Sequence, residues 1–259
     1  MCIRDSYKSF FIRREQLGHT DGGGLSLRRY EEGDIVDLIK IHQSEPIRFV
    51  RPLEDFSALL AAKRLCDRLS ETYVISKGRK IVAYVCIQLP RGEGKPLGML
   101  EFAGPRTFII DKLRDLMDDV RAGSATIEAP SADIGLGSLL LDSGAKQSTR
   151  GFMGSVKLID VKGFLEHMDP YMTEILGTTR RRDLTIAFHH NPPELRFQYG
   201  GQRFRMSGIE RITAFVFGSL EGEFRDMRPE EVKGSAPELG ELLAALFPMP
   251  LVDYGLNYV

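Results

Sequence analysis

Apolar positions recur along this chain at two spacings, every second residue and every third or fourth, and the order of the two predicts its elements. Leu25 to Tyr30 reads as a short strand, and Gly33-Asp34 precedes a helical stretch with Ile35, Leu38, Ile39 and His42 on one face. Pro52 opens a second helix carrying Phe56, Leu59, Leu60, Cys66 and Leu69. Thr72 to Ser76 and Lys80 to Gln88 are two strands joined by a tight turn at Lys77-Gly78-Arg79. The pattern then switches regularly: strand Leu97 to Ala103, helix Thr107 to Arg121, strand Ser124 to Ala129, helix Ala132 to Ser143, strand Gly154 to Val161. Ahead of all these lies Tyr7 to Gly24, in which Phe10-Phe11-Ile12 reads as a strand remnant and Gly22-Gly23-Gly24 ends a flexible linker.

Beyond Val161 the character changes. A helical stretch from Lys162 to Leu176 leads into three strands, Leu184 to His190, Glu194 to Tyr199 and Gln202 to Met206, punctuated by Asn191-Pro192-Pro193 and Gly200-Gly201 turns. Ser207 with Glu210, and Ser235 with Glu238, match the capping-box spacing ahead of two helices. The second of these helices presents Leu239, Leu242, Leu243, Leu246 and Phe247 at one-face spacing. Strands followed by helices that cover them predict a small α+β unit, and the whole chain is α+β.

Composition narrows the function classes. The 259 residues are 42% hydrophobic and 27% charged with a formal net charge of −1, so the chain has neither a disordered composition nor the basic footprint of a nucleic-acid or anionic-membrane binder. The one dense basic run, Arg180-Arg181-Arg182, reads as a solvated loop before a strand. Cys2, Cys66 and Cys86 are odd in number and lack ligand spacing, which argues against a zinc site and for a reducing compartment. No run of 18 apolar residues and no signal-peptide core is present, so a cytoplasmic location and no membrane partner are expected. Met1-Cys2-Ile3-Arg4-Asp5-Ser6 resembles the translation of a transposase end sequence, from which the reading frame is expected to begin inside a longer gene.

Two early helices, an antiparallel hairpin and then strand, helix, strand, helix, strand form the element order of the Gcn5-related N-acetyltransferase (GNAT) fold, which residues 25–160 resemble. Residues 161–259 resemble a sterol-carrier-protein-2-like (SCP2-like) domain. Arg211-Ile212-Thr213-Ala214-Phe215-Val216-Phe217-Gly218 and the closing run from Phe247-Pro248 to Asn257-Tyr258-Val259 look like acetyltransferases of the enhanced-intracellular-survival type. Those proteins join two GNAT-like domains to one SCP2-like domain. The resemblance implies that this chain covers the second and third, with residues 1–24 an artefactual start, strand remnant and linker.

A working GNAT domain holds the pyrophosphate of acetyl-CoA on backbone N–H groups of an Arg/Gln-x-x-Gly-x-Gly/Ala loop. After the strand Leu97 to Ala103 stands Gly104-Pro105-Arg106-Thr107, with one glycine and a proline that removes a donor. Gly135-Leu136-Gly137-Ser138 has the right glycines one βα unit too late. The resemblance implies acetyl-CoA for the complete protein, through a missing N-terminal GNAT domain, and no cofactor or metal site is expected on this chain.

The resemblance also implies that the C-terminal carboxylate reaches a catalytic cleft as general base, which maps by position to Val259. Its target would lie in the missing domain, so this chain alone is expected to be inactive, with contacts in a homo-oligomer as a further expectation. The alternative is a lipid- or apolar-ligand-binding module, or a structural oligomerisation module, built on the SCP2-like domain. His189-His190 cannot converge on one ion, because neighbours on a strand point to opposite faces. Asp111, Asp115, Asp118 and Asp119, interleaved with Lys112 and Arg114, read as a solvated helix face.

Overall fold

The computed structural model describes residues 7–18, 22–46, 48–65, 67–130, 133–150, 156–218, 232 and 234–249. They form two compact units, one of the described residues from Tyr7 to Arg150 and one of those from 156 to 249.

The first unit is a mixed sheet covered by helices on both faces. Its strands are β1 (Tyr7–Arg13), β2 (Leu25–Arg29), β3 (Arg64–Leu65), β4 (Arg68–Lys77), β5 (Lys80–Gln88), β6 (Pro96–Ala103), β7 (Ser124–Pro130) and β8 (Lys146–Arg150). The spatial order is β2-β4-β5-β6-β7-β1-β8, with β3 paired to β4. Every pairing is antiparallel except that of β6 with β7. Helices α1 (Ile35–Ser44) and α2 (Leu53–Ala61) place Leu38, Phe56 and Leu60 against one face, where Tyr84, Cys86 and Ala103 meet them. Helices α3 (Arg106–Asp119) and α4 (Ile134–Asp142) bury Ile109, Leu113, Leu116, Met117, Leu136 and Leu140 against the other.

Two details of this sheet position the cleft. Between β5 and β6 the pairs run Cys86 with Glu101 and then Ile87 with Met99, so Leu100 is an extra residue and β6 bulges there. Strands β6 and β7 pair only from Pro96–Met99 to Ser124–Ile127, yet run on to Ala103 and Pro130. The two parallel strands therefore part at their C-terminal ends, where open α/β sheets place ligands.

Several local expectations are corrected. Tyr7–Arg13 is not a remnant ahead of a domain starting at residue 25: β1 lies between β7 and β8, antiparallel to both, with Phe10 and Ile12 fully buried. The last strand of the unit is Lys146–Arg150 rather than Gly154 to Val161; residues 156–160 are not strand, and the next helix begins at Val161. The second helix stops at Ala61, Lys63 takes a positive φ of 49°, and Leu69 lies exposed on β4. The chain reverses at Lys63 in a conformation that a helix cannot continue through.

In the second unit, α5 (Val161–His167) and α6 (Asp169–Asp183) precede a three-stranded sheet of β9 (Thr185–His190), β10 (Pro193–Tyr199) and β11 (Gln202–Ser207) in the order β11-β10-β9. Helices α7 (Ile209–Phe217) and α8 (Pro237–Leu246) join the same core. The register sets Phe197 opposite both Ile186 and Phe204, and Leu195 opposite both Phe188 and Met206, so one face of the sheet is apolar across all three strands. Phe215 and Phe247 fill the space above it, with ring centroids 5.7 and 5.9 Å from that of Phe197 and 5.0 Å from each other.

Three more expectations change here. The helix expected from Lys162 to Leu176 is two helices, and Gly177 (φ 75°, ψ 156°) interrupts the second. Arg180-Arg181-Arg182 is the last turn of α6 rather than a loop, where cations oppose the negative end of the helix dipole. Neither capping box forms. Ser207 ends β11 and donates to Glu194 at 3.3 Å, and Ser235 donates to the Val232 carbonyl at 3.4 Å. The α8 terminus is capped instead across the fold, by Gln202 Oε1 accepting from Leu239 N at 3.0 Å.

Candidate cofactor-binding cleft

The fold puts its ligand crevice where β6 and β7 separate, and the residues there bind one another. Gly104 leaves β6 at φ 105°, so close to β5 that a Cβ would stand 2.4 Å from the Val82 carbonyl oxygen and 2.7 Å from Ala83 Cβ. Pro105 follows as the cap of α3, and the helix opens on Arg106. Across the crevice, Asp133 caps α4, its Oδ1 accepting from Leu136 N at 3.0 Å. Glu45 comes from the end of α1 and is buried.

These groups satisfy each other almost completely. The Arg106 guanidinium forks onto Glu45, at 2.9 Å to Oε1 and 2.7 Å to Oε2, while its Nε donates to Asp133 Oδ2 at 2.6 Å. It also donates to the Gly104 carbonyl at 2.8 Å, and Glu45 Oε1 accepts from the Gly104 N–H at 2.7 Å. Burial opposes the charge on Arg106, but its hydrogen bond to Glu45 and the charge of Asp133 outweigh that and raise its pKa. The Phe102 ring backs the guanidinium at 4.9 Å.

The remaining space is a cavity of about 230 Å3 lined by Glu45, Pro46, Arg106, Pro130, Asp133, Ile134 and Gly135. That is below the roughly 300–1,000 Å3 of ordinary ligand pockets. Two carboxylates facing one guanidinium leave the crevice with a formal charge of −1, which disfavours a polyphosphate.

The donor that Pro105 lacks thus has a counterpart that sequence reasoning missed, the Glu45 carboxylate on the Gly104 N–H. Gly135-Leu136-Gly137 does open a helix, but Asp133 already holds its terminus. Gly137 serves packing instead: a Cβ there would meet the Phe10 ring at 3.4 Å.

A second polar cluster, also missed, lies under α1 and α2. Arg51, with its side chain 2% exposed, pairs through both nitrogens with Glu101 at 2.6 and 2.8 Å and lies over the rings of Phe49 and Phe56. Tyr84 Oη stands 3.0 Å from Glu101 Oε1 and 2.9 Å from His42 Nδ1. His42 Nε2 is 2.9 Å from the Phe49 carbonyl, which can only accept, so Nε2 carries the proton. The single hydroxyl proton of Tyr84 then serves two acceptors. Burial holds the His42 pKa down, with the Phe49 hydrogen bond opposing, and burial followed by the charge of Glu101 pushes Tyr84 up. Burial likewise raises the Cys86 thiol, leaving a packing residue rather than a nucleophile. On β7, buried Glu128 accepts from Ser9 at 3.0 Å.

The other sequence-predicted candidates are dispersed. Val259 lies outside the described residues. His189 and His190 fall on opposite faces of β9, and His190 packs edge-on to Phe188 at 4.9 Å. On α3, Asp115 pairs with Lys112, Asp118 with Arg14 and Asp119 with Tyr73 and Arg29, so this face is tied to neighbours rather than merely solvated. Among the described residues, no three His, Cys, Asp or Glu side chains gather as metal ligands. No described helix is long and apolar enough to cross a membrane.

In the second unit, a cavity of about 660 Å3 over the outer face of the sheet is lined by His189, Arg196, Gln198, Arg203 and Arg205 among others. Another of about 530 Å3 runs beside β9, with Lys162, Glu166, Asp169 and Arg181 in its wall.

No protein-family model matches the sequence, and no curated protein does. Solved structures match it by fold. A GCN5-related N-acetyltransferase from Kribbella flavida aligns over 98% of this chain and 67% of its own length, at TM-score 0.52 and 13% identity. One from Anabaena variabilis ATCC 29413 aligns over 98% and 66%, at 0.50 and 13%. A conserved protein from Enterococcus faecalis V583, described as a probable N-acyltransferase, aligns over 94% and 64%, at 0.54 and 9%. The chain spans about two thirds of the length of these structures, and the likeness establishes a GNAT-like mixed α+β fold.

Proposed function

We propose that this chain is the non-catalytic C-terminal portion of a GNAT-family N-acetyltransferase that moves acetyl from acetyl-CoA to a primary amine, with acetyl-CoA held by a preceding GNAT domain. The observation that carries this reading is the closed crevice: Glu45 and Asp133 engage Arg106 and Gly104 where this fold would otherwise present donors to a diphosphate. The fold supports the family, and alignment to only two thirds of each related structure leaves room for the domain that binds the cofactor.

In this reading the second unit is an SCP2-like domain, and the terminal carboxylate of Val259 is the general base for a cleft in the preceding domain. The two units then act as a platform, including contacts in a homo-oligomer. The alternative of an apolar-ligand module is the weaker one. The rings of Phe197, Phe215 and Phe247 pack on one another, and the cavities over and beside the sheet mix charged residues such as Arg196, Arg205, Lys162 and Arg181 with apolar ones.

Thiol release from acetyl-CoA in the presence of a panel of primary amines tests the proposal. The chain alone should release no CoA above the enzyme-free rate, while the protein encoded with its genomic upstream sequence should turn over. Appending one glycine after Val259 in that longer protein should depress kcat by roughly the 10²–10⁴-fold expected for a displaced general base. Turnover by the chain alone would refute the platform role.

A further inference from the structure

We infer that Glu45 is the residue that closes the crevice to anions: its carboxylate occupies an internal diphosphate-type site, which its removal would open. This deepens the proposed platform role and rests on it. Three observations place the carboxylate as an anion rather than as an ordinary surface partner. It is buried, it takes the Gly104 N–H at 2.7 Å, and it takes both terminal nitrogens of Arg106 at 2.9 and 2.7 Å. A backbone N–H and a guanidinium fork converging on one two-oxygen anion are the donor set by which proteins recognise phosphate groups.

Asp133 matters in a second way. Its Oδ2 neutralises the remaining side of Arg106 at 2.6 Å, so the crevice has a formal charge of −1 in the native protein, zero without Glu45, and +1 if Asp133 is neutralised too. Asparagine caps helices about as well as aspartate, so Asp133→Asn changes that charge while preserving the terminus of α4.

Calorimetric titration of the full chain with inorganic pyrophosphate, and separately with CoA, reads this series. The native chain should show no saturable binding. Glu45→Ala should bind pyrophosphate, and Glu45→Ala/Asp133→Asn should bind it at least about tenfold more tightly than Glu45→Ala, the worth of one charge-assisted contact. Adding Arg106→Ala to the double variant should abolish the gain, which assigns it to this crevice.

Circular dichroism checks that each variant is folded. If Glu45→Ala is not, Glu45→Gln keeps the volume, removes the charge and carries the same comparison. Folded variants that bind pyrophosphate no better than the native chain would overturn the role of Glu45 while leaving the platform reading intact. Saturable binding of CoA by the native chain would overturn both. Binding of pyrophosphate but not CoA by the variants would support an open anion site whose adjoining groove stays too narrow for the whole cofactor.

Discussion

The polar crevice of the first unit and the aromatic core of the second are both closed, and for opposite reasons. Phe197, Phe204, Phe215 and Phe247 fill volume with rings that two strands and two amphipathic helices deliver to one place. Glu45, Arg106 and Asp133 instead satisfy one another, though Arg106 stands 61 residues from Glu45 and 27 from Asp133. A core of the first kind answers to volume, and a site of the second kind answers to charge. Substitutions should therefore separate the two cleanly.

The largest effects should come from buried groups. Glu101→Ala would remove the carboxylate that the Arg51 side chain, 2% exposed, holds through both terminal nitrogens, and removing one partner of a buried ion pair costs about 3–5 kcal/mol. Phe215→Ala should cost about 3–5 kcal/mol through the cavity it leaves among fully packed rings. Because each unit has its own core, hydrogen exchange should show Glu101→Ala loosening the described residues 7–150 and Phe215→Ala those from 156 onward. If each variant loosened both equally, the comparison would fail.

A smaller effect is expected at the bend into α3. Gly104→Ala places a Cβ against the Val82 carbonyl at φ 105°, so thermal melting should report a loss of at least about 1–3 kcal/mol, the range for such backbone strain. Near-native stability would mean that the crevice is looser than its hydrogen bonds imply.

The smallest effect is a pH dependence. The His42 pKa is lowered in the folded protein, chiefly by burial, so the unfolded chain binds more protons and stability rises with pH. That contribution is present above the unfolded value of about 6.5 and is lost as pH falls from there through the lower folded value. Denaturant midpoints between about pH 5 and 8 should rise for the native chain and rise less for His42→Gln, the difference being His42's share.

Much of the fold was legible because it is written in local periodicity. The hairpin at Lys77-Gly78-Arg79, the strand-helix alternation from Leu97 to Ser143 and the three strands after Leu184 all emerge near their expected places. What escaped is set by position in the tertiary fold. Strand β8 is Lys-Gln-Ser-Thr-Arg, a polar run at the end of the sheet order, and it carries no alternating apolar signal. Phe10-Phe11-Ile12 is apolar, yet nothing local says that it fills the gap between β7 and β8. Ser207 and Ser235 have capping spacing but are drawn to Glu194 and Val232 instead.

The crevice shows the same division. A proline after Gly104 announces a missing donor, and that was readable. The carboxylate that takes the Gly104 N–H sits 59 residues earlier, at the end of a helix whose apolar face gave no hint of it. Likewise His42 showed only as one member of an amphipathic face, because Tyr84, Glu101 and Arg51 meet it only once the sheet is built.

The proposal that the first unit is closed to acetyl-CoA by its own side chains comes down to one titration. Isothermal calorimetry of acetyl-CoA into the native chain should show no saturable heat up to the millimolar range, where binding is worth only about 4 kcal/mol. A one-to-one isotherm in the micromolar range would contradict it.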